Sequence, residues 1–530
     1  MVKKAVVCAT SIILCGVSFA QRPNWQNLDL EKDSVLGISI ERTYAELLKN
    51  KKHTSVVVAV IDSGIDTTHE ALRGVLWINT KEIPGNNIDD DHNGYVDDIN
   101  GWDFIGGPKG EVKYDNLEIT RLIREQHKFY DSLSYLEIPE NYRKGYSNYR
   151  KMRRDYNEQY ETAKAYIAYL EVLKRYLYVL RTKVNKISPS IEDFKKICSV
   201  DNEENKYRSI VIEQLETGLS FDKYLKQVED AYAHFKDKFC YQLNQNFDSR
   251  DTVADDYNNS NQCNYGNGNI YGPNALHGTH VAGIIAGVGK SNDSMNGAAD
   301  CVRIMAIRVV PNGDERDKDV ANAIRYAVNN GAKVINMSFG KKYTKDKKSV
   351  DDAIKYAMNK DVLIIHAAGN EAANLDDPDN SFYPSKHYSD GSGDAEAWIN
   401  VGASGWRDDS TLLASFSNYG KEEVDVFAPG VQIYSTIPGS KYAYEDGTSM
   451  SAPVVSELAA LIRGYYPDFS AVKVKKIIME SVTHINHNII IKERGRIKLL
   501  PFAETCVSGG IVNAFDALRL ANDLERTVGR

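Results

Sequence analysis

A carboxylate, an imidazole and a hydroxyl stand in three short segments of this chain, in the order Asp, His, Ser. The segments are Val58-Ala59-Val60-Ile61-Asp62-Ser63-Gly64, His277-Gly278-Thr279-His280-Val281-Ala282-Gly283 and Gly447-Thr448-Ser449-Met450-Ser451-Ala452-Pro453. If Asp62, His277 and Ser449 converge, they form a complete apparatus for nucleophilic attack. A serine hydroxyl is a poor nucleophile at neutral pH. His277 would take its proton and pass it to a leaving amine, while Asp62 accepts the other ring N–H and stabilises the cation. Gly64, Gly278 and Gly447 lie beside the three residues and let backbone approach backbone. The run Met450 to Gly464, rich in Ala, Val and Leu, reads as a buried helix that starts at the nucleophile. Its first-turn N–H groups favour negative charge, and the Ser449 N–H can serve as an oxyanion donor.

Elements able to position such groups are legible around them. Ser55 to Ile61 is almost continuous Val, Ala and Ile, the pattern of a strand covered on both faces of a parallel sheet. Comparable runs occur at Val302 to Val310, Val334 to Met337, Val362 to Ala367, Ile399 to Ala403 and Asp425 to Ala428, with helical patterns at Asp319 to Asn329 and Val350 to Asn359. A further helical pattern lies near Ile40 to Leu48. This alternation predicts a doubly wound α/β fold, a mostly parallel sheet with helices on both faces. Catalytic groups then belong at the carboxyl ends of strands, and Asp62 directly ends one.

The stretch from about Gly110 to Phe247 differs in kind. It carries half of the chain's 32 Tyr in about a quarter of its length. Tyr156, Tyr160, Ala163, Ile167, Leu170, Leu173, Leu177 and Leu180 recur at spacings of three and four, and so do Phe221, Tyr224, Val228, Ala231, Phe235 and Phe239. Two amphipathic helices follow, with Pro189 and an acidic turn at Glu203 and Glu204 breaking the pattern between them. The chain therefore reads as a leader at 1–20, a first part of the catalytic domain at 21–109, a helical insertion at 110–247, and the remainder of the domain at 248–530.

The three segments, in this order, resemble the subtilisin-like serine proteases, whose triad runs Asp, His, Ser. The resemblance covers about residues 35 to 108 and 265 to 525, and it includes Ser415-Phe416-Ser417-Asn418-Tyr419-Gly420, Ala428-Pro429-Gly430 and the closing Gly510-Ile511-Val512-Asn513-Ala514. It implies that Asn370, in Ala367-Ala368-Gly369-Asn370-Glu371, is a side-chain oxyanion donor. It also implies that Ser338, Phe339 and Gly340, with Ala368 and Gly369, bind substrate as an added strand, Gly340 leaving room for the side chain before the cleaved bond. Lys341 stands where the family often has a second glycine. The implied activity is a serine endopeptidase acting on protein or peptide in extended conformation through an acyl-enzyme. A protease-fold binding or scaffolding protein that uses the helical insertion, and a processing protease of narrow specificity, remain as alternatives.

Asp89, Asp91, Asn93, Tyr95 and Asp97 offer oxygens at alternate positions with Gly94 sixth, as in the first half of an EF-hand loop, but position twelve is Asn100 and not Glu. The loop reads either as a structural Ca²⁺ site or as an unmetallated acidic turn. His92, His127, His234, His280 and His366 read as structural or surface residues. Lys3 and Lys4, the apolar run Ala5 to Ala20 and the small residues Ser18 and Ala20 form a secretory signal, so the mature chain is expected outside the inner membrane: periplasmic, cell-surface or extracellular. No later segment is long and apolar enough to span a bilayer. About 40 residues separate Ala20 from Asp62, too few for a large N-terminal prodomain, which suggests that the insertion or the N-terminal arm restrains activity. Cys198, Cys240, Cys263, Cys301 and Cys506 show no metal-ligand spacing. A net charge of -8 argues against a nucleic-acid partner, and a monomer is expected.

Overall fold

Strand β1 (Val56–Asp62) has apolar side chains in both directions because it is covered on both sides. Val58 and Val60 face a cluster with Val281, Ile284, Val454 and Leu458, while Ala59 and Ile61 face another with Val320, Ile324, Val350 and Ile354. The computed structural model describes residues 22–133, 135–288, 299–493 and 496–528, so the leader read at 1–20 lies outside the described residues. Among these residues the main sheet contains β1, β2 (Gly101–Asp103), β3 (Val302–Arg308), β4 (Val334–Met337), β5 (Leu363–Ala367), β6 (Trp398–Ser404), β7 (Val426–Pro429), β10 (Thr483–His484) and β11 (Gly510–Ile511). A separate antiparallel hairpin joins β8 (Ile433–Ile437) to β9 (Lys441–Glu445).

The order across the sheet is β10-β11-β7-β6-β5-β4-β1-β3-β2. Neighbours run parallel except β10 and β11. Helices α1 (Leu276–Ala286) and α4 (Thr448–Tyr465) pack on one face, and α2 (Asp317–Asn329) and α3 (Lys347–Asn359) on the other. Helices α5 (Ala471–Glu480) and α6 (Ala514–Val528) join the first face. The fold is therefore the doubly wound α/β class, with β1 in the interior of the sheet and Asp62 at its carboxyl end.

The described chain divides into two compact units, one formed by Arg22–Lys113 with Ser249–Arg530 and the other containing Tyr114–Asp248. The second unit is helical. Its longest element, Arg143–Val184, has 42 residues and buries Tyr149, Met152, Tyr156, Ala163, Leu170, Leu173, Leu177 and Leu180 along one stripe. That stripe meets Phe194, Tyr207, Val211, Phe221 and Tyr224 in a core of its own. The acidic turn expected at Glu203 and Glu204 is instead the first turn of a helix, Asn202–Glu216. The Asp201 side chain accepts hydrogen bonds from the Glu203 and Glu204 N–H groups, and carboxylates at a helix N-terminus are favourable, so acidic residues begin an element here.

All five described cysteines, Cys198, Cys240, Cys263, Cys301 and Cys506, are free thiols, so the fold rests on packing. No helix among the described residues is long and apolar enough to cross a membrane. Leu177 is fully buried, whereas Leu136 is exposed. Leu177→Ala should destabilise the helical unit by about 2–5 kcal/mol, lowering the urea midpoint of the far-ultraviolet circular dichroism signal, and Leu136→Ala should leave it in place. Equal midpoints for the two variants would contradict this core.

Candidate active site

Asp62 is nearly inaccessible to solvent at the end of β1, and its Oδ1 accepts hydrogen bonds from His277 Nδ1 at 2.7 Å and from Ser63 N at 2.7 Å. Two features bring these residues together. His277 lies in the first turn of α1, and Gly278 beside it packs against the turn after β1. A Cβ on Gly278 would come within 2.3 Å of Gly64 O and 3.2 Å of Asp62 Cβ, so any side chain there would push helix and strand apart. Arg308, at the end of β3, donates from Nε to Ser63 O at 3.1 Å and pairs through Nη1 with Asp103 at 2.7 Å, fixing the turn from the other side.

Burial opposes protonation of His277. The negative charge and hydrogen bond of Asp62 outweigh it, with a further contribution from Glu445 at the end of β9, and hold the imidazole above its ordinary pKa. Glu445 lies in a hairpin that the sequence did not connect with the site. Asp62, His277, Ser338 and Phe339 line one open cleft of about 600 Å³.

Helix α4 begins at Thr448, one turn position earlier than the expected start, so Ser449 sits inside its first turn. Pro453 has no N–H, which removes the helical partner of the Ser449 carbonyl. The Ser338 hydroxyl takes that place, donating to Ser449 O at 2.9 Å. In return Ser449 Oγ donates to Ser338 O at 2.9 Å. A buried relay stands behind this pair: Ser456 Oγ donates to Asn336 Oδ1 at 2.9 Å, and Asn336 Nδ2 donates to Ser338 Oγ at 3.0 Å. The Ser449 hydroxyl thus rests on Ser338, which lines the cleft with His277, and it does not donate to the imidazole. Catalytic hydrogen bonds are often absent or long until substrate is bound.

Asn370 follows β5. Its Oδ1 accepts from Thr448 N at 2.9 Å and from Thr448 Oγ1 at 3.0 Å, and its Nδ2 lies 3.6 Å from where a Cβ on Gly447 would stand. Asn418 was recognised in the sequence only as part of a fold motif. Here its Oδ1 accepts from Glu371 N at 3.1 Å and Ala373 N at 2.9 Å, and its Nδ2 donates to Ala368 O at 2.9 Å. It fixes the loop that carries Ala368, Gly369 and Asn370. Gly369 is held in addition by its N–H donating to Thr448 Oγ1 at 3.1 Å. Ser338 and Phe339 directly follow β4 at the cleft, with Gly340 after them. Lys341 turns inward: its Nζ lies 2.8 Å from Asp317 Oδ1 and donates to Glu315 O at 2.6 Å.

In the acidic loop, Glu82, Asp89 and Asp91 each place a carboxylate oxygen within 4.8 Å of the others. This hard oxygen set fits calcium. Glu82 falls outside the alternating run and is missed by its spacing. Asn93 Oδ1 accepts from Tyr95 N at 2.8 Å, and the Asp97 oxygens accept from Gly85 N and Asn87 N, each at 2.9 Å. The Tyr95 ring is buried against Trp102 and Tyr326. Among the other histidines, burial pushes His280 and His366 down to about 4, so both are neutral structural groups.

The profile of the subtilase family (peptidase S8) matches residues 53–496. A thermophilic serine proteinase of Bacillus sp. (strain AK1) is 42% identical over 197 residues, covering 37% of this chain and 44% of that protein. Subtilisin Savinase of Lederbergia lenta is 33% identical over 210 residues, covering 39% of this chain and 71% of that one. The chain spans about half the length of several relatives that it matches. Among solved structures, a protease from Pseudoalteromonas arctica aligns at 27% identity over 46% of this chain and 70% of its own, with a TM-score of 0.37. A cold-adapted subtilisin-like serine proteinase aligns at 29% identity over 39% and 68%, with a TM-score of 0.33. The family profile begins before Asp62 and ends beyond Ser449, and it takes in the greater part of the sequence: this chain belongs to the subtilase family.

Proposed function

We propose that the chain is an exported serine endopeptidase that hydrolyses peptide bonds of extended polypeptide, with Asp62, His277 and Ser449 as triad and Asn370 as oxyanion donor. The observation that carries this reading is the 2.7 Å Asp62–His277 hydrogen bond in a cleft shared with Ser338, the residue on which Ser449 Oγ rests. Residues 110–247 act as a helical insertion in a catalytic domain made of 21–109 and 248–530. The protein works as a monomer outside the inner membrane and has no nucleic-acid partner.

In the reaction, Ser449 Oγ leaves the Ser338 carbonyl and attacks the substrate carbonyl carbon while His277 Nε2 takes its proton. Asp62 holds the imidazole by its Nδ1–H and stabilises the cation. The oxyanion forms between the Ser449 N–H and Asn370 Nδ2, near the positive end of α4. His277 then gives the proton to the amine that leaves, and water releases the acyl group by the same steps. The backbone of Ser338 to Gly340 binds substrate on one side and that of Ala368 and Gly369 on the other. Calcium, where bound, would neutralise Glu82, Asp89 and Asp91 and tie their loop together.

A fluorophosphonate should label the purified protein, and Ser449→Ala should abolish labelling and lower casein cleavage by about 10⁶-fold, the scale known for the serine of subtilisin itself. Labelling that survives the substitution would refute the assignment. The base works only when neutral, so kcat/KM should fall as pH drops through the raised His277 value. Glu445→Gln removes a charge that favours the imidazolium and should move this acid limb to lower pH; a limb that stays in place contradicts that role. Calcium at a hundredfold excess over its Kd should stabilise the fold by about 2.7 kcal/mol. This would be read as a higher Tm than in EDTA, and the difference should vanish in Asp89→Asn/Asp91→Asn. A Tm indifferent to calcium in the unsubstituted protein would exclude the site.

A further inference from the structure

The carboxyl ends of β4 and β5 are neighbours, and the segments that follow them, Ser338 to Gly340 and Ala368 to Gly369, form the two walls of a crevice, the first wall tied to Ser449 through Ser338. A substrate carbonyl placed for attack by Ser449 Oγ and for hydrogen bonding by Asn370 must lie at the mouth of this crevice. The side chain of the residue that supplies this carbonyl then points between Ser338-Phe339-Gly340 and Ala368-Gly369. The two positions that flank the crevice from opposite sides, Gly340 and Gly369, carry no side chain.

That space is filled by this chain itself. A Cβ on Gly340 would lie 2.3 Å from Phe382 Cε1 and 2.4 Å from Cζ, and a Cβ on Gly369 would lie 3.0 Å from the same Cζ. The tip of the Phe382 ring therefore rests against both glycines at once. Its base is held. Next to it in sequence, Tyr383 exchanges two backbone hydrogen bonds with Lys341, whose N–H donates to Tyr383 O at 2.9 Å while the Tyr383 N–H donates to Lys341 O at 2.8 Å. Lys341 is anchored in turn by the buried Asp317 carboxylate. On its other side the ring meets His366, with centroids 5.7 Å apart.

We propose that Phe382 plugs the primary specificity pocket and restricts cleavage to bonds that follow Gly, Ala or Ser. The inference rests on the serine endopeptidase reading. An aromatic or long aliphatic side chain before the scissile bond would overlap the ring, whereas a hydrogen, a methyl or a hydroxymethyl group fits between ring tip and nucleophile. Lys341 leaves the pocket and contributes to selectivity only by fixing the backbone beside Phe382.

The test is a series of tetrapeptide anilides that differ only in the residue before the anilide, assayed on the full chain. The unsubstituted protein should show kcat/KM for Ala at least about 100-fold above that for Phe, since exclusion by a filled pocket exceeds the effect of a single methylene. Phe382→Ala should raise the ratio of kcat/KM for Phe to that for Ala at least about 10-fold. Fluorophosphonate labelling monitors the triad independently. Labelling combined with preferred cleavage after aromatic residues in the unsubstituted protein overturns the plug and leaves the protease reading standing. A Phe-to-Ala ratio unchanged by Phe382→Ala also overturns it. No labelling and no cleavage of any peptide would remove the protease reading and this inference together. The profile of the unsubstituted protein decides the question even if the variant does not fold.

Discussion

The buried Asp62 carboxylate is the constraint around which the α/β unit is arranged. An ionised carboxylate at the end of an interior strand costs several kcal/mol unless charge and hydrogen bonds compensate it. Here the compensation comes from His277 Nδ1 and Ser63 N, each at 2.7 Å. The imidazole can reach Asp62 only because α1 comes almost into backbone contact with the turn after β1, which requires the hydrogen-only side chain of Gly278. Removing His277 would leave the buried Asp62 charge without this partner, so the proposed chemistry of the site and the stability of its surroundings share one interaction.

Ser449 depends on a second, more local device. A proline within the early turns of α4 frees the Ser449 carbonyl, and the Ser338 hydroxyl occupies it. A missing helical bond thereby becomes a link between the helix and β4, backed by Asn336 and Ser456 in the dry interior. The same exchange of bonds rests Ser449 Oγ on the Ser338 carbonyl. On the proposed reading, substrate pairing with the Ser338 to Gly340 backbone would meet Ser449 through the residue that positions it, which would couple strand binding to alignment of the hydroxyl.

Much of this was legible in the residues. The continuous apolar runs at β1, β3, β4, β5 and β6 are those of strands covered on both faces, and the structure places them side by side and parallel. Asp62, His277 and Ser449 stand out because each lies in a small-residue segment, at the end of β1 or at the start of α1 or α4. The acidic residues at Glu203 and Glu204 misled, because the signal that ends one helix also starts another when Asp201 caps it. Glu82 joins Asp89 and Asp91 through a fold of the loop, outside any fixed spacing. The placements of Glu445, Asn418 and Phe382 are absent from every local pattern, since each meets a residue more than 40 positions away, His277, Ala373 and Gly340 respectively.

By itself, the sequence determined the class of fold and the chemical groups of the site, because strand and helix periodicity and the reactive side chains are local properties of the chain. Tertiary structure alone decided how those groups meet. It put Asp62 within 2.7 Å of His277, turned Ser449 Oγ toward Ser338, directed Lys341 into the protein and set the Phe382 ring between Gly340 and Gly369. Such contacts depend on packing between elements distant in the chain, where a fraction of an ångström separates an open pocket from a filled one and no short-range pattern records the difference.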